Sequence, residues 1–368
     1  MWKWMMPLLV LALPTWSESR AAVYEVPAGD VSGFFADLPS DATLLRFSAT
    51  GTYTATGDIR LPERPLLIID GAGCTLELAP GSNGFTCVVQ DQKEAMARVT
   101  SRYVIRDFAA IIGGRKAVDL QATLGSELIN LKLIRQTEVA VDLRFCLMAR
   151  LVHVFVTNPA WKGFVLRQGD WAGATAFNSQ CNSSVLEQCR VNCAKTTTEA
   201  FTVLNSGGVR MVDCVSEGAP CQFDLYLSAA LEGDADAPAR NTVVKSFTMD
   251  GFHVEHASQL ASILVNMPSK ASVRLSNIYW NGPQTAPVVL YTMGQLTLSD
   301  LGWWHPDFHI ASRISAPRIR VERCPSALDT GTKETRTDTK AGSFRLVDPL
   351  PGNTALKLTY VHVVDPSF

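Results

Sequence analysis

The chain has 368 residues, of which 47% are hydrophobic and 18% are charged, as in an ordinary soluble globular protein with an ample core. Its formal net charge of −2 leaves no basic excess for binding nucleic acid, and no acidic run indicates a solvating tail. We therefore expect no nucleic-acid partner.

The first 21 residues differ in character from the rest of the chain. Lys3 precedes an apolar run over residues 5–14, and small residues up to Ala21 offer a cleavage point. This arrangement is typical of a secretory signal peptide and is too short for a membrane-spanning helix. A buried N-terminal helix is the alternative interpretation. We expect a mature protein that is secreted or periplasmic and has no membrane span.

A repeat dominates the remainder of the chain. Nine segments of alternating apolar residues recur, mostly at spacings of 23 to 26 residues and twice at spacings of 35 and 38. In each segment one central residue breaks the alternation, and it is most often Asn, Asp or Gly, the types that tolerate a left-handed backbone. The central residues are Asp107, Asn130, His153, Gln188, Asp213, Gly251, Asn277, Asp300 and Arg323. The pattern predicts two strands joined by a one-residue bend.

A third strand follows in most units, with a pair of apolar residues that we expect to face inward. The pairs include Val118/Leu120, Val141/Leu143, Phe164/Leu166, Phe201/Val203, Phe223/Leu225 and Val288/Leu290. Three strands form one coil, and stacked coils repeat at about 4.8 Å. A leucine-rich repeat has a similar period, but no L-x-x-L-x-L run accompanies these strands. We predict an all-β fold, a right-handed parallel β-helix solenoid of about ten rungs over residues 22–325.

The segment over residues 44–78 identifies a family resemblance. An apolar strand, a G-x-Y turn and an I-x-G-x-G step occur there, and they resemble the first rungs of the pectate-lyase-like right-handed β-helix superfamily. The resemblance covers roughly residues 23–325. It implies the fold but no single activity, because the superfamily includes lyases, hydrolases, epimerases and phage tailspikes.

The two ends of the solenoid also carry predictions. Residues 30–38 can form a short amphipathic helix that caps the open core. Residues 326–342 are polar and predict a linker, and residues 343–368 predict a few strands that form a cap or a homo-oligomer contact.

Nine cysteines occur without the spacing of a zinc site. Cys189, Cys214 and Cys324 fall on one inward column of the repeat, where we expect them to be small buried hydrophobic residues. Bridges between Cys181 and Cys193, or between Cys193 and Cys221, are the candidate disulfides.

The resemblance implies that chemistry takes place on the outward face of the third strand. One outward column contains Asp119, Asp142 and Asp224, and the next contains Arg144, Arg167, Tyr226 and Tyr291. The two long spacings add loops at residues 169–183 and 228–242, directly after the strands of Arg167 and Tyr226. Long loops on a regular scaffold often carry function.

Turns on the opposite side can supply a second wall. They contain Glu217 and the run His253, Val254, Glu255 and His256. The His-x-Glu-His spacing differs from that of H-E-x-x-H zinc sites, so we predict no metal ligands, and a need for Ca²⁺ stays open. The aromatic residues that could stack on sugar rings are Trp171, Tyr226, Tyr279 and Tyr291.

Three functions fit this pattern. A lyase acting on an acidic polysaccharide needs cations against the uronate carboxylate, here Arg144 and Arg167, and a base, here Tyr226 or His256. A glycoside hydrolase needs paired carboxyls, and neighbouring Asp119 and Asp142 should raise the pKa of one of them. The third is a non-catalytic surface or structural solenoid that binds glycans or other proteins, in which the stacked Asp and Arg residues form a solvated ion-pair ladder. The arginines favour the lyase.

Overall fold

The computed structural model describes residues 22–175, 177–228, 246–266, 271–281, 288–290, 295–300, 310–312, 318–322 and 360–364. Within these ranges the strands form two long sheets, and every strand pairing is parallel. The chain is therefore an all-β protein consistent with a β-solenoid. The predicted signal peptide and linker lie outside the described residues.

The first sheet contains 17 strands. They are β1 Ala22–Glu25, β2 Gly29–Asp30, β3 Ala42–Arg46, β4 Thr52–Ala55, β6 Leu67–Asp70, β7 Thr75–Leu78, β9 Tyr103–Gly113, β11 Glu127–Ile134, β13 Arg150–Thr157, β15 Val185–Glu187, β16 Arg190–Cys193, β18 Val209–Gly218, β20 Ser246–Val254, β22 Ser272–Trp280, β24 Gln295–Ser299, β26 Arg318–Glu322 and β27 Tyr360–Val364.

The second sheet contains 10 strands. They are β5 Ile59–Arg60, β8 Asn83–Cys87, β10 Lys116–Leu124, β12 Val139–Leu147, β14 Lys162–Arg167, β17 Glu199–Leu204, β19 Phe223–Ser228, β21 Ala261–Asn266, β23 Val288–Leu290 and β25 Ile310–Ser312. Apolar side chains from both sheets meet in one continuous core between them.

The predicted one-residue bends are confirmed in the first sheet. Eight of the nine central residues have a left-handed backbone, with φ between 50° at Asp213 and 77° at Gly251, and Arg323 lies outside the described residues. At Gly251 a Cβ would meet Asp213 Oδ1 at 2.3 Å, so both the positive φ and the close approach favour glycine there. One left-handed residue turns the strand while both halves keep their apolar side chains inward.

The inward pairs of the second sheet are confirmed for the earlier rungs and wrong for one later rung. Val118, Val141, Phe164 and Phe201 follow one another in register and are buried. The next residue in this register is Leu225, because Phe223 pairs with Glu199. Leu225 and Leu227 are therefore the buried pair, and Phe223 is only partly buried.

Two short helices accompany the strands in the described ranges. A 3-10 helix spans Phe34–Asp37, shorter than predicted, and buries Phe35, while its role as a cap stays a prediction. An α-helix, α1, spans Gln92–Arg98, and the Asp91 side chain caps it by accepting a hydrogen bond from the Glu94 amide at 2.8 Å.

The cysteines and the C-terminal region bear on two further predictions. All eight described cysteines are buried free thiols, so neither predicted bridge is formed. At the C-terminal end, β27 pairs with β26. The described helices include none that is long and apolar enough to cross a membrane.

Candidate functional site

Charged side chains gather on the outward face of the second sheet. Asp119 pairs in register with Asp142, and Arg144 pairs with Arg167, so the stacking predicted from the repeat is present. Lys116 at the start of β10 and Asp170 just after β14 complete the group. We call these six residues the outer cluster: Lys116, Asp119, Asp142, Arg144, Arg167 and Asp170.

The two arginines of the outer cluster contact its carboxylates on both sides. Arg167 binds Asp142 with two parallel hydrogen bonds of 3.0 Å, from Nε to Oδ1 and from Nη2 to Oδ2. Arg144 donates to Asp119 Oδ1 at 2.6 Å. Both guanidinium groups also reach Asp170, Arg144 at Oδ1 (2.9 Å) and Arg167 at Oδ2 (2.8 Å). Such charge-assisted pairs are short and directional.

Lys116 closes the cluster from the other side. Its ammonium group lies 2.7 Å from Asp142 Oδ2 and 3.1 Å from Asp119 Oδ2. Asp142, which is 1% exposed, therefore contacts two cations at hydrogen-bond distance, Lys116 and Arg167.

The opposite charges within the outer cluster keep the carboxylates of Asp142 and Asp170 ionised. Burial alone would raise the pKa of Asp142. The hydrogen bonds and positive charge of Arg167, together with the charges of Lys116 and Arg144, lower that pKa by more than burial raises it, so it lies well below the usual range. Burial and these two arginines act on Asp170 in the same opposed way, and its pKa is also lowered. The raised carboxyl pKa that the hydrolase hypothesis needs is therefore wrong for Asp142.

A cavity of about 370 Å³, which we call the outer cleft, opens beside the outer cluster. Its lining includes Lys116, Glu138, Trp161, Lys162, Arg167 and Asp170. Lys162 Nζ lies 4.5 Å above the ring of Trp161, which is 41% exposed, and 2.9 Å from Glu199. Burial lowers the pKa of Lys162 more strongly than the charge of Glu199 raises it.

The sequence-based prediction does not include five charged or aromatic residues that line this cavity, namely Lys116, Glu138, Trp161, Lys162 and Asp170. It also omits Glu199, which pairs with Lys162. Lys116, Lys162 and Glu199 occupy the first position of their strands, where the chain leaves a turn. Simple alternation would point them inward. At that corner the side-chain direction inverts, so the only available signal was a charged residue at an expected core position.

Several predicted residues lie outside the cleft. Trp171 is 9% exposed and packs with Phe145 and α1, and its indole nitrogen donates to Gln92 Oε1 at 3.0 Å, so it offers no open stacking plane. Glu217 is buried on the first sheet, where it pairs with Arg190.

The remaining predicted residues of the second wall and of the aromatic set are also accounted for. His253 and Tyr279 pair on the first sheet with ring centroids 4.8 Å apart, and Glu255 lies 3.7 Å from His253. Tyr226 pairs with Thr202 and so falls one column away from Arg167. Tyr291 lies outside the described residues.

Asp224 is the clearest correction to the predicted site. It does not face outward beside Asp142 but lies fully buried at an interior corner. The same corner position in the neighbouring rungs is held by small residues, which we call the corner row. Its members are Ala117, Ala140, Gly163, Ala200 and Ser262. A Cβ at Gly163 would meet the Ala200 carbonyl oxygen at 2.4 Å, which shows how tight this row is.

Asp224 is surrounded by two hydroxyls, a thiol and an imidazole. Ser216 Oγ donates to Oδ1 at 2.7 Å and Ser258 Oγ donates to Oδ2, while Cys221 Sγ lies 3.4 Å and His256 Nε2 lies 2.8 Å from Oδ1. We call these five residues the inner cluster. Cys221, Asp224 and His256 are residue types that can hold a metal ion, and their ligand atoms all lie within 4.8 Å of one another.

Comparisons with known proteins do not identify the chain. No family model matches it, and no curated protein and no solved structure matches it either.

Proposed function

We propose that the chain is a right-handed β-helix of the pectate-lyase-like superfamily that binds an acidic polysaccharide in the outer cleft and cleaves it by β-elimination. One observation carries the proposal. Arg144 and Arg167 hold the two oxygens of a single exposed carboxylate, that of Asp170, at 2.9 and 2.8 Å. The Asp170 side chain is 39% exposed, the most open acid of the outer cluster.

A uronate carboxylate of the substrate can take the place of Asp170. Two guanidinium groups that share one carboxylate form a directional anion site, and each is also held by a buried carboxylate, Arg144 by Asp119 and Arg167 by Asp142. Asp170 follows β14 in the loop that the repeat predicts as an insertion, so it can leave without moving the strands. Trp161, which lines the cavity and is 41% exposed, offers aromatic surface against which a sugar ring can pack.

Lys162 is the best-placed base. It lines the same cavity, and burial lowers its pKa, which increases the neutral fraction that can accept a proton. Lys162 takes the proton from the carbon next to the carboxylate, the electron pair forms a carbon–carbon double bond, and the glycosidic oxygen leaves and is protonated by water. The arginines stabilise the charge that develops on the carboxylate. His256 is unsuited to this role because it is buried in the inner cluster.

The geometry favours the hydrolase less. A glycosidase needs one protonated carboxyl, whereas Asp142 is held ionised and Asp119 contacts both Lys116 and Arg144. A non-catalytic glycan-binding solenoid is the second candidate, because every charge of the outer cluster already has an opposite partner. A Ca²⁺ ion, secretion and a homo-oligomer contact remain proposals. The elimination described above needs no Ca²⁺.

The test incubates the purified chain with a panel of uronate-containing polysaccharides. Ultraviolet absorbance of the unsaturated product supports the lyase, and new reducing ends without that absorbance support the hydrolase. Binding without any product supports the glycan-binding solenoid. Absence of binding to every polymer contradicts the whole proposal.

Matched variants locate the site. Asp170→Asn should bind the acidic polymer about tenfold more tightly at low salt, because the competing carboxylate is gone. Lys162→Gln should keep binding and lose product, and Arg167→Ala should lose both. Glu187→Gln removes an exposed acid on the first sheet that pairs with Arg150, and it should change neither measurement. If Asp170→Asn bound the acidic polymer with unchanged affinity, the proposal that a substrate carboxylate takes the place of Asp170 would be contradicted.

A further inference from the structure

The inner cluster brings together three ligand types from two successive turns of the solenoid. Cys221 belongs to the turn between β18 and β19, Asp224 to the start of β19, and His256 to the turn between β20 and β21. Cys221 Sγ lies 3.5 Å from His256 Nε2 and 3.4 Å from Asp224 Oδ1, and the last two atoms are 2.8 Å apart. All three side chains are buried.

This geometry excludes a catalytic Cys–His–Asp relay. Such a relay uses the two ring nitrogens for different partners, one for the nucleophile and one for the carboxylate. Here the same nitrogen, His256 Nε2, faces both the thiol and the carboxylate. The convergence of sulfur, nitrogen and oxygen on one point is the arrangement of ligands around a single ion.

The distances agree with a small tetrahedral ion. Zinc–ligand bonds of about 2.3 Å to sulfur and about 2.0–2.1 Å to nitrogen and oxygen place sulfur about 3.5 Å from either of them at tetrahedral angles. Both sulfur distances in the inner cluster lie at that value. The nitrogen–oxygen distance is shorter, as a hydrogen bond would make it, and would lengthen around an ion.

A fourth ligand is close by. Cys193 Sγ lies 4.0 Å from Ser216 Oγ, and that hydroxyl donates to Asp224 Oδ1 at 2.7 Å, so a second thiol lies beside the inner cluster. Cys193 ends β16, one rung before Cys221, so four ligands would come from three successive rungs. Two thiols with an imidazole favour zinc over Ca²⁺ or Mg²⁺, which prefer oxygen ligands.

We propose that Cys221, Asp224 and His256, with Cys193 as the fourth ligand, bind a zinc ion that ties together three successive turns of the solenoid. A closed set of four protein ligands leaves no open position, so the ion is structural and not catalytic. Binding replaces the proton of each thiol by the metal and releases these protons to solvent. The corner row supports the site, because Asp224 places a carboxylate where the neighbouring rungs have Ala, Gly or Ser.

The experiment uses the full chain purified without chelator. Elemental analysis should find about one zinc per chain. After chelation and dialysis, titration with Co²⁺ should produce a thiolate-to-cobalt charge-transfer band, and zinc should abolish that band and raise the melting temperature.

Two variants and one control make the result specific. Cys221→Ser keeps the side-chain size and should lose the cobalt band, and His256→Gln should weaken metal binding at least tenfold. Cys214→Ala removes another buried thiol, one that lies 3.5 Å from the Val212 carbonyl oxygen, and should leave metal binding unchanged.

Two results would overturn the proposal. One is a purified chain that carries no metal and takes up no Co²⁺. The other is mass spectrometry of the alkylated chain that finds Cys193 and Cys221 joined as a disulfide. Both results are independent of the outer cleft, whose polysaccharide assays would be unaffected.

Discussion

Asp142 and Asp224 are both buried carboxylates of the second sheet, and they differ in what surrounds them. Asp142 points outward and contacts Lys116 and Arg167 at hydrogen-bond distance. Asp224 points inward and accepts hydrogen bonds from two serine hydroxyls, with a thiol and an imidazole beside it. The same residue type is therefore paired with cations on the outer side of the sheet, and on its inner side it lies among hydroxyls, a thiol and an imidazole.

The difference has a direct consequence for ligands. The outer cluster contains three cations and three carboxylates, and its exposed member Asp170 can yield to an anionic substrate, which Arg144 and Arg167 would then bind. The inner cluster contains a carboxylate, thiols and an imidazole without Lys or Arg among its five residues, so it suits a cation. The comparison predicts opposite ligand charges at the two clusters.

Removing the carboxylate of Asp142 should have the largest effect. Asp142→Ala leaves buried cationic groups without their main partner, and we expect a loss of about 3–5 kcal/mol in the free energy of unfolding. Urea denaturation measures it. The matched control Glu187→Ala breaks an exposed pair with Arg150 and should cost at most about 1 kcal/mol. Equal losses in the two variants would show that Asp142 is no more important than a surface acid.

Changing Asp224 should have a smaller effect in metal-free protein. Asp224→Asn keeps the volume but turns one acceptor oxygen into a donor, and the unmet donors should cost about 1–3 kcal/mol. Urea denaturation with chelator present measures this cost. Adding zinc should stabilise the wild-type chain and leave Asp224→Asn little changed. If zinc stabilised both proteins equally, Asp224 would not be a ligand of the proposed metal site.

Much of the fold follows from the sequence because one rule repeats. A left-handed residue such as Asn130 or Asp213 breaks the alternation once per unit, and the structure has a positive φ there. The stacking of Asp119 on Asp142 and of Arg144 on Arg167 follows from the same register. Local periodicity decides both features, so no information about tertiary contacts is needed.

The side chains at the corners of the solenoid do not follow this periodicity. The first residues of a third strand invert their direction, which sends Lys162 into the cleft and Asp224 into the interior. The predicted register of this strand is also wrong by two residues, because the turn before β19 changes the spacing. Leu225 therefore takes the position expected of Phe223. Turn length and packing against neighbouring rungs determine these directions, and neither is periodic in the sequence. The signal that remains is a charged residue in a row of small ones.

The pH dependence of stability gives the smallest expected effect and the most specific one for the outer cluster. The pKa of Asp142 is lowered in the folded chain, so its contribution is complete above the unfolded value of about 3.9 and is lost as the pH falls towards the folded value. The loss should reach at most about 1.4 kcal/mol per pH unit for this group. Urea midpoints of the wild-type chain and of Asp142→Asn, compared at decreasing pH, isolate it from the other acids. The difference in stability between the two proteins should be constant at neutral pH and shrink in acid. A difference that stays constant in acid would mean that the cations around Asp142 do not hold it ionised, and the contrast with Asp224 would then rest on geometry alone.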